Sequence, residues 1–331
     1  MTAPLDTLRT VAGTWFEQRN GGTAKDLGLP DWPAFLDRVF PQRWPDVPIS
    51  PLSSGGSPIQ LSVDTARPDE LRLVIELSSF LSNDPDAIVT CIGHAAPDQA
   101  RMLSGVMRLA GGVPRLGIGL RINRNQVSWK VYAGSDSPGD FWRWIHSFRT
   151  SGLLPRDRAQ PAIALCERIA ASAVMRGCSF VGVKDELRVN NVYYRSLAPY
   201  RQAHVAALLK TANLSTAAPA LVAMAAALGF SEGTGRGCFG YMVGLRRDGG
   251  VDNLKVEFWS IPWLEGHQLS LTPLERLGIS GLEPAALLGR VIAEAGPCER
   301  PAAPEVVSFR SSALLPSSVV TYFALPRDGN I

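Results

Sequence analysis

Lysine, arginine, asparagine and tyrosine recur in this chain two residues apart inside short apolar runs. That spacing puts them on one face of a β-strand. Lys130 and Tyr132 do so in WKVYA, Asn191 and Tyr193 in NNVYYR, and Lys255 and Glu257 in LKVEF. Arg72, Val74 and Glu76 share a face in LRLVIEL, Gln60 and Ser62 in IQLSV, and Tyr322 stands in the last run, VVTYFA. One such strand taken alone describes a solvated surface pair. Here the run recurs, with Arg72, Lys130, Asn191, Lys255 and Tyr322 expected at about the same level and Tyr132, Tyr193 and Tyr241 one step away. Cations gathered on a buried face without a full set of carboxylates repel one another unless an anion is bound. A diphosphate satisfies them through charge-assisted hydrogen bonds. Tyrosine faces can shield a developing cation. The chemistry these residues suit is departure of a diphosphate from an allylic carbon.

The elements that would position them are hairpins. Two extended runs separated by turn residues begin near positions 58, 114, 178, 237 and 304. The second hairpin, 114–133, turns at Asn-Arg-Asn, the third at 184–186 and the fourth at 248–250. In the first hairpin TARPDE, 65–70, reads as the connecting loop. Helical patterns fill the intervals, at about 85–92 and 96–110, 139–149 and 160–176, 200–211 and 217–229, and 272–280 and 283–295, after helices at 5–19 and 30–40. The result is five units of two helices and one hairpin with a period of about 60 residues, the mark of a repeat architecture. The expected fold is therefore α+β: a ten-stranded antiparallel β-barrel of five ααββ repeats with its helices outside, which leaves no open sheet edge. Residues 1–331 are expected to form a single domain, with the helices of residues 1–50 packed on the outside. Alternation assigns Val131, Val192, Val256 and Phe323 to the helix side, and Lys130, Tyr132, Asn191, Tyr193, Lys255, Glu257 and Tyr322 to a polar interior.

Composition narrows the partners. A net charge of +3 with no basic block gives no footprint for nucleic acid. No apolar run approaches a membrane span, and the first residues lack a signal-peptide layout, so a cytoplasmic protein is expected. The five cysteines, 91, 166, 178, 238 and 298, have no C-x-x-C spacing and read as reduced thiols. The four histidines make no metal-binding pair, so no metal site is expected. Residues 235–240 match G-x-G-x-x-G but follow a helix and open a strand, the reverse of a dinucleotide site.

These strands resemble those of the ABBA, or prenyltransferase-barrel, family over roughly residues 50–326. GSPIQLSV with LRLVIEL is similar to the family's first hairpin, WKVYA to its K-x-Y strand, NNVYYR to its N-V-Y-F strand and VDNLKVEF to its fourth. GIGLRINRNQVSWKVYA is most similar to the cyanobactin peptide prenyltransferases, and SGGSPIQLS resembles the indole prenyltransferases. The resemblance implies that Arg72, Lys130, Tyr132, Asn191, Tyr193, Tyr241, Lys255 and Tyr322 hold a prenyl diphosphate or shield its chain. Two departures stand out. Where these relatives usually place a glutamate that takes the acceptor's proton, this chain has Gln60, which cannot act as that base. Glu257 or Glu76 would replace it. Where some members carry a lysine in the last strand, this chain has about Ser318, leaving the phosphate ring one cation short.

The activity implied is transfer of a dimethylallyl or geranyl group from its diphosphate to a nucleophilic side chain of a peptide. The same chemistry on a free aromatic, indole or guanidine acceptor is the alternative, and a non-catalytic barrel that binds a phosphorylated or lipidic ligand is another. No D-D-x-x-D cluster is present to hold magnesium diphosphate. The prenyl diphosphate is expected as co-substrate, with no cofactor and no essential magnesium.

Overall fold

A computed structural model describes residues 59–77, 115–122, 127–134, 161–183, 186–236, 238–259, 304–314 and 317–324, with scattered single positions between 90 and 150. Ten strands are present. They are β1 (Ile59–Asp64), β2 (Arg67–Glu76), β3 (Arg115–Ile122), β4 (Val127–Gly134), β5 (Ala173–Val183), β6 (Glu186–Ser196), β7 (Phe239–Leu245), β8 (Val251–Trp259), β9 (Pro304–Ser312) and β10 (Ser318–Ala324). Three helices are described: α1 (Pro161–Ala170), α2 (Gln202–Thr211) and α3 (Ala218–Ala227). The strands close into a barrel in the order β1-β10-β9-β8-β7-β6-β5-β4-β3-β2. Neighbouring strands pair antiparallel from β1 to β3 and from β5 to β9. The expected ten-stranded barrel is thus the observed one.

The described residues group into two compact units. One holds β1 to β3, β4 as far as Val131, and β10 from Tyr322 onward. Its strands sort by alternation. Ile59, Leu61, Leu73, Ile75, Ile118 and Leu120 are all buried on one face, while Gln60, Ser62, Arg72 and Glu76 share the other. The β1–β2 turn is only Thr65–Ala66, tighter than the loop expected over 65–70, and β2 already begins at Arg67. An Asp64 side chain that accepts a hydrogen bond from the Ala66 amide at 3.0 Å makes so short a turn possible.

The other unit holds β5 to β8, the three helices and most of β9. Its apolar face is covered by helices. Tyr200 meets Phe239 of β7 and Phe258 of β8 with ring centroids 5.7 and 5.9 Å apart, and Phe230 meets Phe258 at 4.7 Å. Such aromatic pairs contribute about 0.5–1.5 kcal/mol each beyond the area they bury. α2 begins without a side-chain cap of its own, and the Gln202 amide donates instead to Glu232 at 2.9 Å. The chain leaves α3 through Gly229 at φ 79°, a left-handed position that favours glycine. The fourth hairpin turns where expected: the Gly250 amide donates to Asp248 at 2.9 Å and Gly249 takes φ 83°.

One boundary differs. A helix over 160–176 is expected, but α1 stops at Ala170 and β5 starts at Ala173. The strand carries a register shift between Met175 and Gly177, which breaks the period-two pattern and lets the segment resemble one more helical turn. Strand pairs recur as read. The helices expected at 5–19, 30–40, 272–280 and 283–295 lie outside the described residues, and 85–110 and 139–149 are described only at isolated helical positions.

Candidate functional site

In the helix-bearing unit the polar face is laid out by register. Gly177, Tyr193, Met242, Lys255 and Arg310 lie opposite one another on β5 to β9 in one continuous cross-strand row. A second row on the same face runs Ser179, Asn191, Gly244, Asn253 and Ser312, and a third Arg195, Gly240, Glu257 and Ser308. The even spacing of these rows follows from strands whose other residues, among them Val192, Tyr194, Leu254, Val256 and Phe258, are buried on the apolar face.

Two cations face each other in the first row. Lys255 and Arg310 are direct cross-strand partners, each only 6% exposed. Like charges placed opposite one another on neighbouring strands are destabilising, so the arrangement suits an anion. Beside them the Asn191 amide donates to Ser179 at 2.8 Å and to the Tyr193 hydroxyl at 3.2 Å, which fixes that phenol. The Tyr193 ring lies 6.0 Å from that of Tyr132, tilted by 48°. Tyr132 and Lys130 stand on the same face of β4, opposite the buried Val131 and Ala133.

Glu257 is flanked across the sheet by Gly240 and Ser308. It is 8% exposed, and among the described residues it takes part in no hydrogen bond and no ion pair. Burial raises its carboxyl above the usual carboxylate range, against the opposing pull of Lys255 and Arg176. The Trp259 ring lies over Gly240, where a Cβ would collide with it, and the Arg176 guanidinium sits 5.5 Å from the centre of that ring.

The other unit carries a different cluster. Arg72 donates through Nε to Glu70 at 2.6 Å and through Nη2 to Asp64 at 2.7 Å. Arg121, opposite Arg72 on β3, reaches the same Glu70 oxygen at 3.0 Å, and Arg67 reaches its other oxygen at 3.3 Å. Burial alone would lower the Arg72 pKa. The Glu70 and Asp64 carboxylates outweigh it and hold the guanidinium above its ordinary value, with the Tyr322 phenol adding to the effect. Glu76 is 3.9 Å from Arg115, and Gln60 is buried opposite Val74.

The structure redistributes several of the residues expected to act together. Lys255 is level with Tyr193 and Arg310, whereas Asn191 is level with Asn253, a step away from the level expected. Tyr241 does not belong to the polar set. It pairs with Val256 on the apolar face, where its ring meets Phe239 at 5.7 Å and His204 at 6.3 Å. The polar positions of FGYMVGL are Gly240, Met242 and Gly244, which hide the alternation. The carboxylates thought to be missing are supplied, for Arg72, by Asp64 and Glu70. Arg310 and Arg176 were missed, although Ser308 and Arg310 alternate visibly with Val307 and Phe309. Arg310 is a strongly buried cation beyond the expected ring, found on β9 rather than at Ser318 of β10.

No protein-family model matches the chain, and no curated protein matches it in sequence. Solved structures match it in fold. The 6-dimethylallyltryptophan synthase from Micromonospora olivasterospora, in complex with DMASPP and Trp, is similar with a TM-score of 0.70 over 98% of each chain at 14% identity. The structural neighbours are ABBA-type prenyltransferases. PriB in its binary complex with product diphosphate is similar with a TM-score of 0.69 over 99% of each chain at 15% identity. The 5-dimethylallyltryptophan synthase from Streptomyces coelicolor gives 0.66 over 100% of this chain and 99% of its own, at 16% identity. The ten-stranded arrangement described above is thus the prenyltransferase barrel.

Proposed function

We propose that this chain transfers a dimethylallyl group from its diphosphate to an electron-rich aromatic acceptor of the indole type. The observation that carries the proposal is the buried Lys255–Arg310 pair in one row with Tyr193, beside Tyr132. As the bond from C1 to the bridging oxygen breaks, its electrons leave with the diphosphate, and Lys255 and Arg310 stabilise the growing charge. The Tyr132 and Tyr193 faces shield the allylic cation, and Asn191 keeps Tyr193 in place. Arg72 is neutralised by Asp64 and Glu70 and has the smaller role, with Tyr322 beside it.

The indole class draws support from the neighbours, whose names include two dimethylallyltryptophan synthases, one in complex with Trp. A peptide acceptor has only the likeness of residues 117–133 to argue for it. Incubation with dimethylallyl diphosphate and L-tryptophan or indole tests the proposal. Acceptor-dependent pyrophosphate release with a prenylated product is the expected result. Donor binding without release across these acceptors would leave a non-catalytic barrel.

A further inference from the structure

We propose that Glu257, on β8, accepts the proton that the acceptor loses, in the transfer reaction proposed above, on which this assignment rests. Three side chains compete for the role, and their surroundings separate them. Gln60 has no acid–base chemistry to offer. Glu76 has an arginine, Arg115, within 3.9 Å. Glu257 alone of the three is a carboxylate that takes part in no hydrogen bond and no ion pair among the described residues, although it is buried. A buried carboxylate in that condition costs stability, and its place on the polar face beside the Lys255 row gives it a use.

An aromatic surface lies beside it. Gly240 and Ser308 stand opposite Glu257 on the two neighbouring strands, and the Trp259 ring, two residues along the same face of β8, packs over Gly240. The step balances without any further reagent. The acceptor's nucleophilic atom forms a bond to C1 of the allylic group, the C1–O bond breaks with its electron pair going to the diphosphate, and the proton on the attacked atom passes to a Glu257 oxygen. Burial raises the carboxyl's affinity for a proton, and the charges of Lys255 and Arg176 act against that by favouring its ionised form.

Glu257→Gln keeps the shape and removes the base. With dimethylallyl diphosphate and L-tryptophan or indole, the variant is expected to lose turnover on the order of 10²-fold. Affinity for dimethylallyl thiolodiphosphate should stay within about threefold, because that ligand is held by the Lys255 row. The acid limb of the wild-type kcat/KM profile, which rises as Glu257 ionises, should vanish in the variant. A second measurement needs no acceptor. A carboxyl whose pKa is raised on folding supports the fold while protonated and loses that support as pH rises through the raised value. Glu257→Gln should therefore melt above wild type at pH 7–8 and level with it near pH 4. Near wild-type turnover with the acid limb intact, or identical melting at both pH values, overturns the assignment. Failure of the wild-type protein to bind the thiolodiphosphate would instead strike the functional proposal itself.

Discussion

Lys255 and Tyr241 sit one residue out of register with each other on adjacent strands, and that single step separates two kinds of residue. Lys255 shares a polar face with Arg310, so removing either should weaken the grip on the donor. Lys255→Ala and Arg310→Ala are each expected to lose roughly 2–4 kcal/mol of transition-state stabilisation, a rate loss on the order of 10² to 10³. Both variants should still unfold cooperatively in urea, and a large drop in stability with normal turnover would make the pair structural. Tyr241 lies in the helix-covered layer, where burial pushes its phenol well above the ordinary range. Tyr241→Phe should keep wild-type kcat and donor affinity, whereas Tyr193→Phe removes the hydroxyl to which Asn191 donates and should lower kcat. Equal losses in the two variants would place Tyr241 back among the donor ligands.

Between elements, the Arg72 cluster does a different job from the one its residue type suggests. It fastens β2 to β1 through Asp64 and to β3 through the Glu70 oxygen that Arg121 shares. Arg72→Ala would leave two buried carboxylates without their main partner, a loss of about 3–5 kcal/mol for a buried pair broken on one side. Urea denaturation should show it as a lower midpoint with an unchanged slope. Stability equal to wild type would mean the cluster holds nothing together. The hairpins were legible in the sequence because Val131, Val192, Val256 and the residues beside them keep a clean two-residue period. The faces were harder to read where a glycine or a bulge interrupts the period. Gly240 and Gly244 erased it on β7, and the shift in β5 made its start look helical. Pairing distances across strands, which decide that Arg310 faces Lys255, are set by register and leave no trace in either strand alone.

For the whole molecule, the proposed function gives side-chain cations the place that magnesium holds in other diphosphate enzymes. Among the described residues no group of three or more His, Cys, Asp or Glu is arranged to hold a metal ion, and no helix is long and apolar enough to cross a membrane. If Lys255 and Arg310 supply the positive charge, prenyl transfer is expected to survive EDTA, with the rate compared before and after restoring magnesium. Complete, magnesium-reversible loss would show that these cations are too few. The thiols give a check on the folded layers. Cys166 and Cys178 are buried, and burial pushes the Cys166 thiol up to about 12, while Cys238 is partly exposed. An aromatic disulfide reagent should label Cys238 in the native protein and reach the other two only on unfolding. The measurement that bears most directly on the account is calorimetric titration of dimethylallyl thiolodiphosphate, in EDTA, into wild-type protein and the Lys255→Ala/Arg310→Ala double variant. Saturable binding to wild type that weakens on the order of 10²-fold or more in the folded double variant is the predicted result. Equal affinity in the two proteins, or no binding to wild type without metal, would contradict it.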